Sequence, residues 1–285
     1  MTSEIKQVVL PDRGIVAVNG FDATKLLQGL VTNDVALLDT QPAIYAGLLS
    51  PQGKILFDFI VVKTPDGALI DVAKDQAAAL VKRLTMYKLR AAVTIADVSA
   101  DHTVVAAFGP DAQFGQGIVY SDPRLPDLGL RAIVETKDAV AVNSEASAYH
   151  AFRIGLGVPE GGRDYAFGDA FPHEALFDQL HGVSFTKGCY VGQEIVSRME
   201  HRGTARKRIV PVNADGPLVE GAAVMAGDVE IGRVGSVAGS RGLALLRLDR
   251  VDEFAAKGLP LTADGAPITV SIPAWAHFKT LAAHS

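Results

Sequence analysis

At 285 residues, 48% of them hydrophobic and 21% charged, the chain has the composition of a soluble protein built from two or three compact units. Its net charge of -5 argues against a general nucleic-acid binder, which carries a basic excess. No apolar run approaches the roughly 18 residues that cross a bilayer, and the first residues lack the basic and apolar regions of a signal peptide, so a cytoplasmic protein with no membrane partner is expected.

In chain order, a strand is predicted over residues 15–18, then a helix from the capping candidate Asp22, with Leu26, Leu27, Leu30 and Val31 at helical spacing and Asn33 and Asp34 as its stop. Residues 45–49 form a strand, and the turn residues Pro51 and Gly53 join it in a hairpin to a long strand over 55–62. Alternation puts Leu56, Asp58, Ile60 and Val62 on one face of that strand and Ile55, Phe57, Phe59 and Val61 on the other. Asp58 is therefore a carboxylate in an apolar row, where a charge needs a partner, a water or a ligand.

The turn Thr64-Pro65-Asp66-Gly67 leads into a strand over 68–72, and residues 75–89 read as a helix with Ala77, Leu80, Val81 and Leu84 on one face. Strands follow at 93–98 and 103–108, and residues 115–130, rich in Gly, Pro and Asp, read as loops. Strands alternating with single helices predict α+β units with antiparallel sheets. Helix signals return at Asn143-Ser144-Glu145, with Tyr149, Phe152, Arg153 and Leu156 on one side; residues 157–171 are dense in glycine and irregular. After Arg208, short strands at 209–212, 222–225, 229–237, 243–248 and 268–272, punctuated by glycines, predict a small all-β barrel. A domain boundary near 205 divides an α+β region of two interleaved subdomains, residues 1–204, from a C-terminal β-barrel domain, residues 205–285.

The densest chemistry lies in Lys187-Gly188-Cys189-Tyr190-Val191-Gly192-Gln193-Glu194, which holds the only cysteine of the chain. One cysteine forms no internal disulfide and cannot by itself hold a metal cluster that needs several thiolates. With a helix starting near Gly192, Cys189 sits just ahead of free amide groups and a positive dipole end, with Lys187 adding charge, a setting for a reactive thiol. The alternative is a small buried hydrophobe. Glu194 falls in the first helical turn, where an acidic residue is favoured in any case.

The run Gly182-Val183-Ser184-Phe185-Thr186-Lys187-Gly188-Cys189-Tyr190-Val191-Gly192-Gln193-Glu194, with Arg202-Gly203 and Arg206-Lys207-Arg208 after it and Gly155-Leu156-Gly157-Val158-Pro159-Glu160-Gly161 before it, resembles the signature of the YgfZ family. These are folate-binding relatives of the aminomethyltransferase (T protein) of the glycine cleavage system, and the chain looks most like the branch serving iron–sulfur cluster assembly in mitochondria and their bacterial relatives. The resemblance implies a T-protein-like fold: ferredoxin-like α+β subdomains with antiparallel sheets and a small C-terminal β-barrel round a central channel. It also implies a tetrahydrofolate-binding accessory factor for the assembly or maintenance of iron–sulfur proteins, with folate and cluster-assembly or client proteins as partners.

On that resemblance Cys189 is the candidate catalytic residue, and Asp58, Glu194, Lys187, Tyr190, Gln193 and Arg198 are candidates for binding the cofactor. Asp58 aligns with the aspartate that the transferase relatives use near the reacting nitrogen of tetrahydrofolate, where a carboxylate can orient or deprotonate an amine; its other reading is a sheet-face aspartate bonded to neighbouring backbone. Arg153-Ile154-Gly155 departs from the Arg-x-Glu of those enzymes, and the second reading is a folate-dependent one-carbon transferase. Arg198, His201, Arg202, Arg206, Lys207 and Arg208 form a basic cluster suited to a folyl glutamate tail or an acidic partner, or simply a solvated face. His173, His181 and His201 lack metal-ligand spacing, and no catalytic metal is expected.

Overall fold

The computed structural model describes residues 5–138, 141–203 and 205–278. Two compact units interleave along the chain, one within Met1–Tyr149 and Leu180–Gln193, the other within His150–Gln179 and Glu194–Ser285.

The first unit runs β1 (Lys6–Val9), β2 (Arg13–Asn19), α1 (Ala23–Gln28), β3 (Ala43–Leu49), β4 (Ile55–Thr64), β5 (Gly67–Ala73), α2 (Ala77–Lys88), β6 (Thr94–Asp97), β7 (His102–Phe108), β8 (Ile118–Ser121) and β9 (Leu130–Glu135). A five-stranded sheet has the order β3-β4-β5-β2-β6 and a four-stranded sheet the order β1-β7-β9-β8. Every pairing in them is antiparallel. Alternate residues of neighbouring strands, Val16 and Val18, Phe57, Phe59 and Val61, Ile70 and Val72, meet Leu27 of α1 and Leu80 and Leu84 of α2 in one core. The opposite row of β4 is covered too, so Asp58 is buried together with Ile60 and Val62.

A buried charge network links the two sheets. Arg131 of β9 donates to Asp71 of β5 at 2.7 Å and to Asp122 at 2.9 Å. Asp71 also accepts from Arg13 of β2, and Asp122 accepts both Nε and Nη2 of Arg124. The hydroxyl of Tyr149, in α3 (Ala146–Leu156), accepts from both Arg124 and Arg131. Burial alone would raise Asp122, but the Arg124 and Arg131 guanidiniums outweigh it and hold the carboxyl well below its ordinary range.

In the second unit, α4 (Gln193–Arg202) precedes β10 (Lys207–Ala214), β11 (Ala223–Ala226), β12 (Val229–Ala238), β13 (Arg241–Arg247), α5 (Leu248–Ala256), β14 (Leu261–Ala263) and β15 (Ala266–Val270). The strands close into a barrel in the order β10-β13-β12-β11-β14-β15, filled by Val210, Val212, Val224, Ile231, Val234, Leu246 and Ile268, with Val251 and Phe254 of α5 packed in. The glycine-dense stretch 157–171 is irregular but fastened. Arg153 donates to Asp164 at 2.8 Å, to the Val158 carbonyl at 3.1 Å and to the Ser236 hydroxyl at 2.7 Å. Asp164 in turn accepts the Ser236 and Glu160 N–H groups.

Several expectations need correction. Residues 115–130 are not all loop: they contain β8 and a 3-10 turn over Pro126–Leu128, because strand pairing with β9 overrides local turn composition. Asn33 and Asp34 do not stop α1, which ends at Gln28; Asp34 instead accepts the Ala36 N–H at the head of a 3-10 turn over Val35–Asp39. The carboxylate of Asp22 takes the Ala92 N–H rather than capping its own helix. Leu248, read as the end of a strand, is the first residue of α5, whose buried Leu248, Val251 and Phe254 carry a helical spacing. Four more elements, β1, β9, α5 and β14, had no counterpart in the sequence reading.

Candidate functional site

The signature segment is stitched to the stretch that follows α1. Thr32 donates its hydroxyl to the Gly182 carbonyl at 2.6 Å while accepting the Gly47 N–H, and its own carbonyl takes the Ser184 N–H. The Asn33 amide donates to the carbonyls of Tyr45 and His181. Lys187, only 7% exposed, drives its ammonium into a ring of three carbonyls, those of Gln28 at 2.8 Å, Val31 at 2.7 Å and Asn33 at 2.8 Å. Three acceptors match the three N–H groups of an ammonium. Burial lowers Lys187 to about 8, opposed by the charge of Asp34. The same ammonium lies 5.3 Å from the centre of the Tyr190 ring, and burial pushes the Tyr190 hydroxyl up to about 12.

Downstream, Gly192 has φ +83, and a Cβ there would sit 2.6 Å from the Ser50 carbonyl oxygen. The segment is thus held at both ends, by Lys187 on the 28–33 stretch and by Gly192 on the β3–β4 turn, and between them Cys189 is exposed. It is not the buried small hydrophobe of the alternative reading. Helix α4 begins at Gln193, whose N–H donates to the Tyr190 carbonyl. Gly188, by contrast, has open space around its Cα.

The other candidates are placed as follows. Asp58, 4% exposed, accepts the Tyr45 hydroxyl at 3.2 Å, so its apolar row is relieved by an aromatic hydroxyl. Glu194 and Arg198 lie in the second unit, exposed on α4 and paired with each other at 2.6 Å. Within the expected basic cluster, His201, Arg202, Arg206 and Lys207 are exposed, but Arg208 is buried and grips both oxygens of Asp178 at 2.9 Å, so it is withdrawn from any ligand-receiving face. His173 stands 2.9 Å from Glu200 with Asp178 nearby; that aspartate is already committed to Arg208.

Tyr45, Thr32, Asn33 and Asp122 were not anticipated as site residues. Beside the signature segment a groove of about 700 Å³ is lined by Asn33, Tyr45, Asp122, His181, Ser184 and Phe185, among others. The Arg124 guanidinium lies 5.9 Å from the Tyr45 ring centre, which connects the buried charge network to the residue that holds Asp58. The sequence signal for this arrangement was Thr32-Asn33-Asp34-Val35, read as a helix stop and as a stretch similar to one in the transferase relatives, without a site role for Thr32 or Asn33.

Comparison with known proteins bears on this geometry. Residues 12–114 match the GCVT N-terminal domain and residues 206–278 the CAF17 C-terminal beta-barrel domain. The solved glycine cleavage system aminomethyltransferase T of Bartonella henselae aligns with a TM-score of 0.75 over 94% of this chain and 86% of its own at 16% identity, which establishes the fold. Among curated proteins, the mitochondrial iron–sulfur cluster assembly factor IBA57 of Mus musculus is 34% identical, with 85% of this chain and 77% of the relative covered. The human protein is 32% identical, with 93% and 84% covered. The homologue of Mycosarcoma maydis is 39% identical over 74% of this chain, and there, as in Neurospora crassa, the chain spans little more than half of the relative, 58% and 56%.

These relatives are named as mitochondrial, which overturns the expectation of a cytoplasmic protein. A compartment address is read from a segment apart from the packed core, so composition and folding pattern carry no trace of it. At identities above 30% over more than three quarters of the mouse and human proteins, and with the aminomethyltransferase fold and closed C-terminal barrel in place, the chain belongs to the IBA57 family, whose named members are iron–sulfur cluster assembly factors.

Proposed function

We propose that the protein is a tetrahydrofolate-binding accessory factor in the assembly or maintenance of iron–sulfur proteins, with Cys189 as its working side chain. The observation that carries this reading is the exposure of the sole cysteine on a segment fixed at both ends by Lys187 and Gly192. A thiolate is a soft ligand for iron–sulfur clusters. A single one completes a cluster's coordination only alongside ligands from another protein, so the cluster is cargo shared with an assembly partner or a client.

The residues fit folate in kind. A groove of about 700 Å³ is in the size range of small-ligand sites, Tyr45 and Phe185 offer ring faces, and Asn33 offers an amide. Asp58 does not line the groove; it stands behind Tyr45, whose hydroxyl it accepts, and a ring amine pairs with it only by displacing that hydroxyl. Bound folate would supply a one-carbon carrier; the protein's part is to orient it.

Two measurements test the reading. Iron–sulfur enzymes in cells lacking the protein should lose cluster content and regain it on re-expression; normal clusters in its absence would remove the assembly role. By calorimetry, Asp58→Asn should bind tetrahydrofolate more weakly, about tenfold for a lost charge-assisted hydrogen bond, and equal affinities would return Asp58 to a structural part. A second reading, one-carbon transfer, draws support from the buried Asp58 alone; turnover of methylated amines with tetrahydrofolate would establish it, and no turnover would dismiss it.

A further inference from the structure

On the first unit, two loops are clamped edge to edge. The Ala92 N–H donates to the Asp22 carboxylate at 2.8 Å, the Asp22 N–H donates to the Ala92 carbonyl, and Gly20 lies so close that a Cβ would meet the Ala92 oxygen at 2.3 Å. Each loop carries a large apolar side chain into solvent: Phe21 is 96% exposed and Leu89 88% exposed. Leu89 follows α2 with φ +48 and ψ -109, a backbone conformation that a leucine rarely adopts. The fold therefore accepts strain at a residue that buries nothing. Met86, one turn earlier on α2, is 64% exposed and continues the apolar edge.

On the α2 side of this edge the charge is basic. Residues 77–96 contain Lys82, Arg83, Lys88 and Arg90 and no Asp or Glu, in a chain whose net charge is -5. Lys25, a turn beyond Phe21 on α1, adds a fifth cation. Of the carboxylates near Phe21, Asp22 is occupied by the Ala92 N–H, Asp39 pairs with Lys63, and Asp66 is exposed on the adjoining turn, where its carbonyl takes the Gly20 N–H.

We propose that this edge docks on the surface of an anionic phospholipid bilayer, with Phe21 and Leu89 entering the headgroup region and the cations meeting phosphates. Apolar tips that protrude from a ring of Lys and Arg suit a bilayer, where apolar burial and attraction to anionic lipid act together. A protein interface would favour anchors seated in pockets and would be depleted in lysine, whereas three of the five cations here are lysines. Nothing crosses the membrane in this arrangement: among the described residues no helix is long and apolar enough to do so.

Co-sedimentation of the full chain with vesicles of phosphatidylcholine, or of phosphatidylcholine with roughly one-third phosphatidylglycerol, tests the proposal. Binding should be confined to the anionic vesicles and released by salt. The double variant Phe21→Ser, Leu89→Gly removes only exposed side chains and relieves the strained backbone, so it keeps the thermal midpoint of the parent; it should bind on the order of 100-fold more weakly. Lys82→Gln and Lys88→Gln should each cost about fivefold. Equal binding to neutral vesicles, no binding to either, or undiminished binding by the double variant would overturn the proposal. Binding to soluble poly-glutamate as tight as to anionic vesicles, and indifferent to Phe21 and Leu89, would overturn it in favour of an acidic protein partner.

Discussion

The sequence offers Lys187 as a charge beside the thiol and as a candidate for binding the cofactor; its position makes it a pin. With its ammonium inside three carbonyls, replacing it by Met leaves those acceptors unmet at a cost of about 1–3 kcal/mol. The pH dependence has a definite sign. Lys187 titrates near 8 in the folded protein against an ordinary 10.5, so the unfolded chain holds the proton more tightly. The native state therefore gains stability as pH rises from about 8 to 10.5. Denaturant unfolding of wild type and Lys187→Met across that window should show the wild type gaining on the variant. A constant difference would mean that the ammonium is not buried as described.

At the scale of elements, the two signature glycines look alike in sequence and differ in structure. Gly192→Ala forces a Cβ against the Ser50 oxygen at a φ of +83 and should lower stability by about 1–3 kcal/mol, with faster amide exchange in the signature segment. Gly188→Ala meets nothing within 4 Å and should stay within about 0.5 kcal/mol of wild type; equal effects would deny the Gly192 contact with the turn. The sheet-to-sheet network gives a larger effect. Arg131→Met strips a partner from both Asp71 and Asp122, and breaking a buried pair costs about 3–5 kcal/mol, to be read as a fall in the thermal midpoint. A loss under 1 kcal/mol would show that water replaces the guanidinium.

These cases also mark what the sequence could disclose. The hairpin around Gly53, the burial of Asp58 in an apolar row and the helix after Gly192 follow from periods and turn residues that act over a few positions, and they were legible. The motif Lys187 to Glu194 disclosed a family. Lys187's acceptors, however, lie more than 150 residues earlier in the chain, and Arg131 reaches Asp71 across 60 residues. No local pattern marks such partners. Arg208 read as one of a basic cluster because its neighbours are basic, while Asp178, thirty residues away, decides where it points. β8 was hidden because four strand residues between turn formers are identified only by their pairing with β9.

For the molecule as a whole, the proposed function reduces to one testable statement: that the sulfur of Cys189, exposed on a braced segment, is what serves iron–sulfur proteins. Cys189→Ser is nearly isosteric at an exposed position and leaves the Lys187 pin and the Gly192 contact intact, so fold and folate affinity should be unchanged. Serine is a poor ligand for soft metal centres. The direct measurement is the cluster content of iron–sulfur enzymes in cells lacking this protein, complemented with wild type or with Cys189→Ser at equal expression. The account predicts restoration by wild type and none by the serine variant; full restoration by the variant would contradict it and leave the segment's shape, not its sulfur, as the functional feature.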